Sequence, residues 1–217
     1  IINLIQEEKC DVGLSFDGDG DRILVVDHDG TVIDGDELIY ILAVYLKQEG
    51  RLKKDTVVLT KMSNLGIIKA FERQGISVEI VNVGDKYVLE RIIEKDLSLG
   101  GENSGHIILK DFLNTGDGLL VGCYLLKILE ETKKTLKELI SDITMWPQEL
   151  VNIRSFNKEI INDKRVVSLV NSIKDELGEN GKMLVRASGT EPLIRVTVSC
   201  EKQEDLNLYR DQVVGLI

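Results

Sequence analysis

This sequence predicts an α/β fold: a layered α/β domain with a mixed sheet, followed by a smaller α+β unit. Three observations carry that expectation. Between Thr56 and Glu131, short runs rich in β-branched residues alternate with stretches of helical apolar period, the rhythm of a sheet covered by helices. Trp146-Pro147 breaks the rhythm, because proline disfavours helix in the residue before it. Beyond the break the order becomes strand, helix, strand, strand, helix.

Taken in order, strands are expected at 12–16 and 23–26, a turn at Asp29-Gly30, and a helix from about Asp36 to Gln48 closed by Gly50. Thr56–Thr60 reads as a strand, Leu65 to Gln74 as a helix stopped by Gly75, Ile76–Val81 as a strand and Lys86–Lys95 as a helix. Asp117–Glu131 is a further amphipathic helix. In the last part we expect a strand at 149–154, a helix at 163–177, strands at 183–186 and 193–199, and a helix from about 204. Boundaries near 54 and 143 then divide the chain into 1–54, 55–142 and 143–217.

The chain has 217 residues, 43% of them hydrophobic, and only two prolines, so a packed core rather than disorder is expected. A net charge of -10 argues against nucleic acid and anionic membrane as partners, since both need clustered Lys and Arg. The longest apolar run, Leu38 to Leu46, is far short of the ~20 residues of a membrane span. No charged-then-apolar targeting segment opens the sequence. Cys10, Cys123 and Cys200 are odd in number and widely spaced, which reads as unpaired thiols in a reducing, cytoplasmic setting.

Three loops carry chemistry. Asp17-Gly18-Asp19-Gly20-Asp21-Arg22 sets acids at alternate positions between glycines, so a tight curl would converge three carboxylates on one hard divalent cation. An EF-hand is excluded, because Arg22 stands at its obligatory glycine and His28 at its obligatory glutamate. In Gly100-Gly101-Glu102-Asn103-Ser104-Gly105-His106, residues 102, 104 and 106 would share one face if the segment were extended, and that face could grip sugar hydroxyls. In Arg186-Ala187-Ser188-Gly189-Thr190-Glu191-Pro192, a guanidinium fork, two hydroxyls and an accessible backbone suit a phosphate.

Together DGDGDR (17–22), VGDKYV (83–88), GGENSGHIILKDFLNTGDG (100–118) and RASGTEPLIRV (186–196) resemble the α-D-phosphohexomutase family, most closely its phosphoglucosamine mutase branch. Asn103 stands where that branch has glutamine. The resemblance implies a fragment: the tail of the family's second domain at 1–54, the third at 55–142 and the TATA-binding-protein-like fourth at 143–217. The phosphoserine loop of the first domain is missing, so the chain alone is expected to be inactive.

The implied reaction interconverts glucosamine 6-phosphate and glucosamine 1-phosphate through a phosphoserine and a bisphosphorylated sugar. Asp17, Asp19 and Asp21 would hold Mg²⁺, with Arg22 and Lys86 supporting the transferring charge. Glu102 and Ser104 would bind the sugar, and Arg186, Ser188, Gly189 and Thr190 its phosphate. Lys86 or His106 would move the proton. The implied partners are a hexosamine phosphate and the remaining domains, with a homodimer as a further expectation. Phosphomannose and phosphoglucose mutases, and a sugar-phosphate or metal-binding module without chemistry, are the alternatives. Val25–Asp34 also resembles the nucleophile motif of haloacid-dehalogenase-type phosphatases, but a hairpin turn is the expected reading there.

Overall fold

An N-terminal helix, α1 (Ile2–Glu8), leads into three antiparallel strands, β1 (Val12–Phe16), β2 (Ile23–Asp27) and β3 (Val32–Ile33), in the order β1-β2-β3. The computed structural model describes residues 1–189 and 191–217. They form two units, Ile1–Ser63 with Ile67–Thr144, and Asn64–Gly66 with Met145–Ile217.

The β2–β3 connection is the expected hairpin. Asp27 N–H donates to Thr31 O at 2.8 Å and Gly30 N–H to Asp27 O at 2.9 Å. Oδ1 of the buried Asp27 accepts from the backbone N–H of His28 at 2.9 Å and lies 3.0 Å from His28 Nδ1, which ties the carboxylate to the hairpin.

Helix α2 (Gly35–Gln48) begins with a capping box. Asp34 accepts from Asp36 and Glu37 N–H, and Glu37 accepts from Asp34 N–H at 3.0 Å, an arrangement worth ~1 kcal/mol. Strand β4 (Thr56–Thr60) follows, buried at every position, then α3 (Leu65–Arg73), β5 (Ser77–Val81), α4 (Asp85–Lys95), β6 (Leu99–Gly101) and β7 (Ile107–Leu109). These strands make one sheet in the order β5-β4-β6-β7, parallel except for the β6/β7 edge. The predicted mixed sheet is therefore present. Helices α5 (Gly118–Thr132), capped by Asp117, and α6 (Leu136–Leu139) complete the unit.

No break falls at residue 54. One apolar cluster includes Val25, Leu38 to Leu46 apart from Val44, Val57, Leu59, Phe71, Leu99 and Leu125, so it crosses that position uninterrupted. The physical reason is that α2 is apolar around most of its circumference and cannot be solvated as the end of a separate body. Gly50 ends a helix without ending a core.

In the second unit, β8 (Gln148–Arg154), α7 (Lys164–Leu177), β9 (Gly181–Ala187), β10 (Leu193–Cys200) and α8 (Gln203–Val214) form the expected α+β arrangement. Strand β10 lies between β8 and β9, antiparallel to both. Val166, Val170, Ile173 and Leu177 recur on one face of α7 and join Leu206, Tyr209 and Val213 of α8 in a core with Ile194, Val196 and Val198.

Cys200 belongs to that core, and burial pushes its thiol up to about 11, whereas Cys10 and Cys123 are exposed. A colorimetric thiol reagent should modify Cys10 and Cys123 in the native protein and Cys200 only after unfolding. Modification of all three at one fast rate would contradict this core.

Candidate active site

The acidic loop joins β1 to β2. Gly20 adopts φ 75°, a left-handed conformation that turns the chain back, and one carboxylate oxygen from each of Asp17, Asp19 and Asp21 comes within 4.8 Å of the others. Among the described residues Asp21 Oδ1 is buried with no hydrogen-bond partner, the nearest cationic nitrogen being Arg22 Nε at 3.6 Å. Desolvation, then the charge of Asp19, raises the Asp21 pKa. Burial also pushes Asp17 upward, but the bond from Arg22 N–H at 3.3 Å and other lowering contacts outweigh it. Arg22 Nε lies 3.6 Å from both Asp17 and Asp21. An all-oxygen donor set with an unsatisfied buried oxygen fits a hard divalent cation.

The 102–106 segment departs from the extended form expected of it. It is a tight turn between β6 and β7, with Glu102 N–H donating to His106 O and Gly105 N–H to Glu102 O, both at 3.0 Å. Alternation of side chains holds only while the backbone stays extended, and Gly105 at φ 91° ends it. Residues 102, 104 and 106 consequently do not share a face. Ser104 is exposed, half-buried Glu102 accepts from Gly84 N–H at 3.0 Å, and His106 turns inward, 5% exposed. Its Nε2 lies 3.5 Å from Asp21 Oδ2.

Several predicted residues nevertheless converge. Ser104, Asp17 and Arg22 line one open pocket of about 220 Å³. The Gly84 bond ties Glu102 to the first turn of α4, where Lys86 is exposed with Nζ 4.7 Å from the centre of the Tyr87 ring. Main-chain bonds lace the acidic loop to the turn: Ile23 N–H donates to Gly105 O at 3.2 Å and Arg22 bridges His106. A Cβ at position 105 would lie 2.0 Å from Ile23 O, so this approach requires glycine.

The third loop belongs to the second unit and connects β9 to β10. Arg186 lies in β9 with its Nε buried and, among the described residues, without a partner. Ser188 is 8% exposed; its N–H donates to Leu193 O at 2.8 Å, its Oγ accepts from Glu191 N–H at 3.3 Å, and its carbonyl accepts from Lys158 Nζ at 2.5 Å. Gly189 is exposed, and Thr190 lies outside the described residues.

Sequence reasoning missed Arg195. It stands directly opposite Arg186 in the β9/β10 register, and its Nη2 lies 2.8 Å from Glu191 Oε2. Like charges so placed repel, and an anion would relieve them. Counting the register outward from a hairpin loop at 188–193 pairs Ala187 with Ile194 and then the two arginines.

Gly105→Ala should destabilise the first unit by about 3 kcal/mol, combining a positive-φ penalty with a backbone collision. A thermal midpoint equal to wild type would contradict the close approach.

The sequence profile described as phosphoglucomutase/phosphomannomutase, alpha/beta/alpha domain III, matches residues 34–145, and that of the C-terminal domain matches 148–216. The phosphoglucosamine mutase of Bacillus cytotoxicus is 44% identical over 218 residues, covering 100% of this chain and 49% of the relative. That of Latilactobacillus sakei is 43% identical, covering 100% and 48%. The chain thus spans about half the length of the curated relatives it matches. Among solved structures, Aspergillus fumigatus N-acetylphosphoglucosamine mutase in complex with GlcNAc-6P and magnesium matches with a TM-score of 0.77 at 20% identity, covering 94% of this chain and 51% of that one. At that identity the likeness is one of fold.

Proposed function

Because the chain belongs to the phosphoglucomutase/phosphomannomutase family of α-D-phosphohexomutases, we propose that it serves the interconversion of glucosamine 6-phosphate and glucosamine 1-phosphate, together with a phosphoserine-bearing domain outside these residues. The supporting observation is 44% identity to a phosphoglucosamine mutase over a match that covers the whole chain. In this reading residues 1–33 are the tail of the preceding family domain, and cytoplasmic localisation follows from the metabolic role. No described helix is long and apolar enough to cross a membrane.

Each loop has a separate task. Asp17, Asp19 and Asp21 hold Mg²⁺, which when bound neutralises charge on a migrating phosphoryl group. Arg22, beside two of those acids, adds a fixed positive charge to the same place. Ser104 and Glu102 bind sugar hydroxyls, and the Gly84 bond holds Glu102 in position. Arg186, Ser188, Gly189 and Thr190 bind the phosphate that is not reacting, with Arg195 as a second fork. Proton transfer falls to Lys86, which is exposed, or to His106, which is 5% exposed beside Asp21.

Two measurements test the assignment. Calorimetry with Mn²⁺ should show binding to the wild-type chain and its loss in Asp19→Asn; undiminished binding in the variant would refute the metal loop. Arg186→Ala should weaken glucosamine 6-phosphate binding by ~1.5–3 kcal/mol, the worth of a hydrogen bond to a charged group, without affecting unphosphorylated glucosamine. Equal losses for both ligands would mean that Arg186 supports only the fold.

A further inference from the structure

We propose that the first unit carries a second small-molecule site, at the end of β1 and β2 opposite the acidic loop, which takes a zwitterion with an apolar body, the chemistry of an α-amino acid such as leucine. Neither the metal loop nor the phosphate loop contributes to it.

A cavity of about 510 Å³ opens there, lined among others by Asp11, Asp27, His28, Leu129, Lys134 and Leu136. That volume falls within the ~300–1,000 Å³ typical of ligand pockets. Asp11 precedes β1 and Asp27 ends β2, whereas residues 17–22 join the two strands at their other end. With five residues in each strand and ~3.3 Å per residue, roughly 15 Å separates the two places.

The acidic wall is a buried carboxylate with one oxygen unpaired. Asp27 is 3% exposed; its Oδ1 accepts from His28 N–H and lies beside His28 Nδ1, whereas Oδ2 accepts no hydrogen bond among the described residues. A carboxylate removed from water costs free energy unless its oxygens are paired. Asp11, exposed and without an ion pair among the described residues, adds a second negative charge to that wall.

The basic wall comes from the turn after α5. Lys133, at φ 57°, ends that helix and is followed by Lys134, which lines the cavity. The Lys133 ammonium is held by Glu130, while Lys134 has no ion pair among the described residues and acts on Glu138 only through its field. Lys134 therefore faces the same cavity as Asp11 and Asp27 without closing on either. A molecule carrying both an ammonium and a carboxylate satisfies the two walls at once, through charge-assisted hydrogen bonds. Half-buried Leu129 and buried Leu136, which also line the cavity, offer apolar surface to its body.

Three probes of one shape separate the charges: L-leucine, isocaproate, which lacks its ammonium, and isoamylamine, which lacks its carboxylate. Followed by ¹⁵N–¹H correlation spectra of the wild-type chain, leucine should shift the amides of His28, Lys134 and Leu136 saturably, with a Kd about tenfold or more below that of either relative. Asp27→Asn should raise the Kd of leucine and isoamylamine about tenfold and leave isocaproate unchanged. Lys134→Gln should raise that of leucine and isocaproate and leave isoamylamine unchanged. Isocaproate binding as tightly as leucine would overturn the proposal in favour of a plain anion pocket, and isoamylamine doing so in favour of a cation pocket. Absence of saturable shifts with leucine would overturn it outright. Should Asp27→Asn fail to fold, the three probes on the wild-type chain and on Lys134→Gln decide the matter.

Discussion

The first unit depends on main-chain pairing between two segments some eighty residues apart in sequence, the acidic loop with the start of β2 and the turn between β6 and β7. Gly105 O accepts from Ile23 N–H, Arg22 bridges His106, and Gly20 O accepts from Gly118 N–H at 2.9 Å. Asn103 O accepts from Gly35 N–H at 3.1 Å and extends the same lacing to the start of α2. Three carboxylates gathered within 4.8 Å repel one another, and a free loop would relieve that repulsion by opening. Here the backbone on either side has its hydrogen bonds elsewhere. The acids stay gathered because the loop's path is set by neighbours rather than by its own charges.

Local charge, not net charge, governs what each unit can bind. The chain as a whole carries -10, which discourages nucleic acid and anionic membrane surfaces. A single phosphate samples a smaller region. Beside the β9–β10 loop it would meet Arg186 and Arg195 in register, with Lys158 on the Ser188 carbonyl. Of the two guanidinium groups, only that of Arg195 has an acid partner among the described residues, Glu191 at the loop's far side. An anion arriving there would thus enter a region already positive within an acidic protein, while the 17–22 loop offers the opposite field to a cation.

Element types were legible wherever a periodic run was long enough to repeat. Helices α2, α5 and α7 and strands β1, β4 and β10 lie within a residue or two of the expected limits, because each is a long apolar or β-branched run set between turn residues, α7 burying one face and β4 buried throughout. Helix α1 and strand β6 were not anticipated. The first is short, and the second is only Leu99-Gly100-Gly101, whose strand character comes from its partners β4 and β7. A boundary was expected near 54 for a related reason: Gly50 is a local helix stop, whereas the core crossing it is a long-range property.

The sequence by itself determined the residue types of the three loops, and acids spaced by glycines, a Glu-Asn-Ser turn and an Arg-Ala-Ser-Gly segment are the ground for proposing cation, hydroxyl and phosphate as their partners. It could not determine how those side chains point. Tertiary structure turned His106 inward onto Asp21, tied Glu102 to Gly84 and set Arg195 opposite Arg186. Periodicity depends on neighbours along the chain, whereas direction depends on turn dihedrals and strand register. At Gly105 the dihedral suits backbone that arrives from β2, a segment that no local pattern could have placed there.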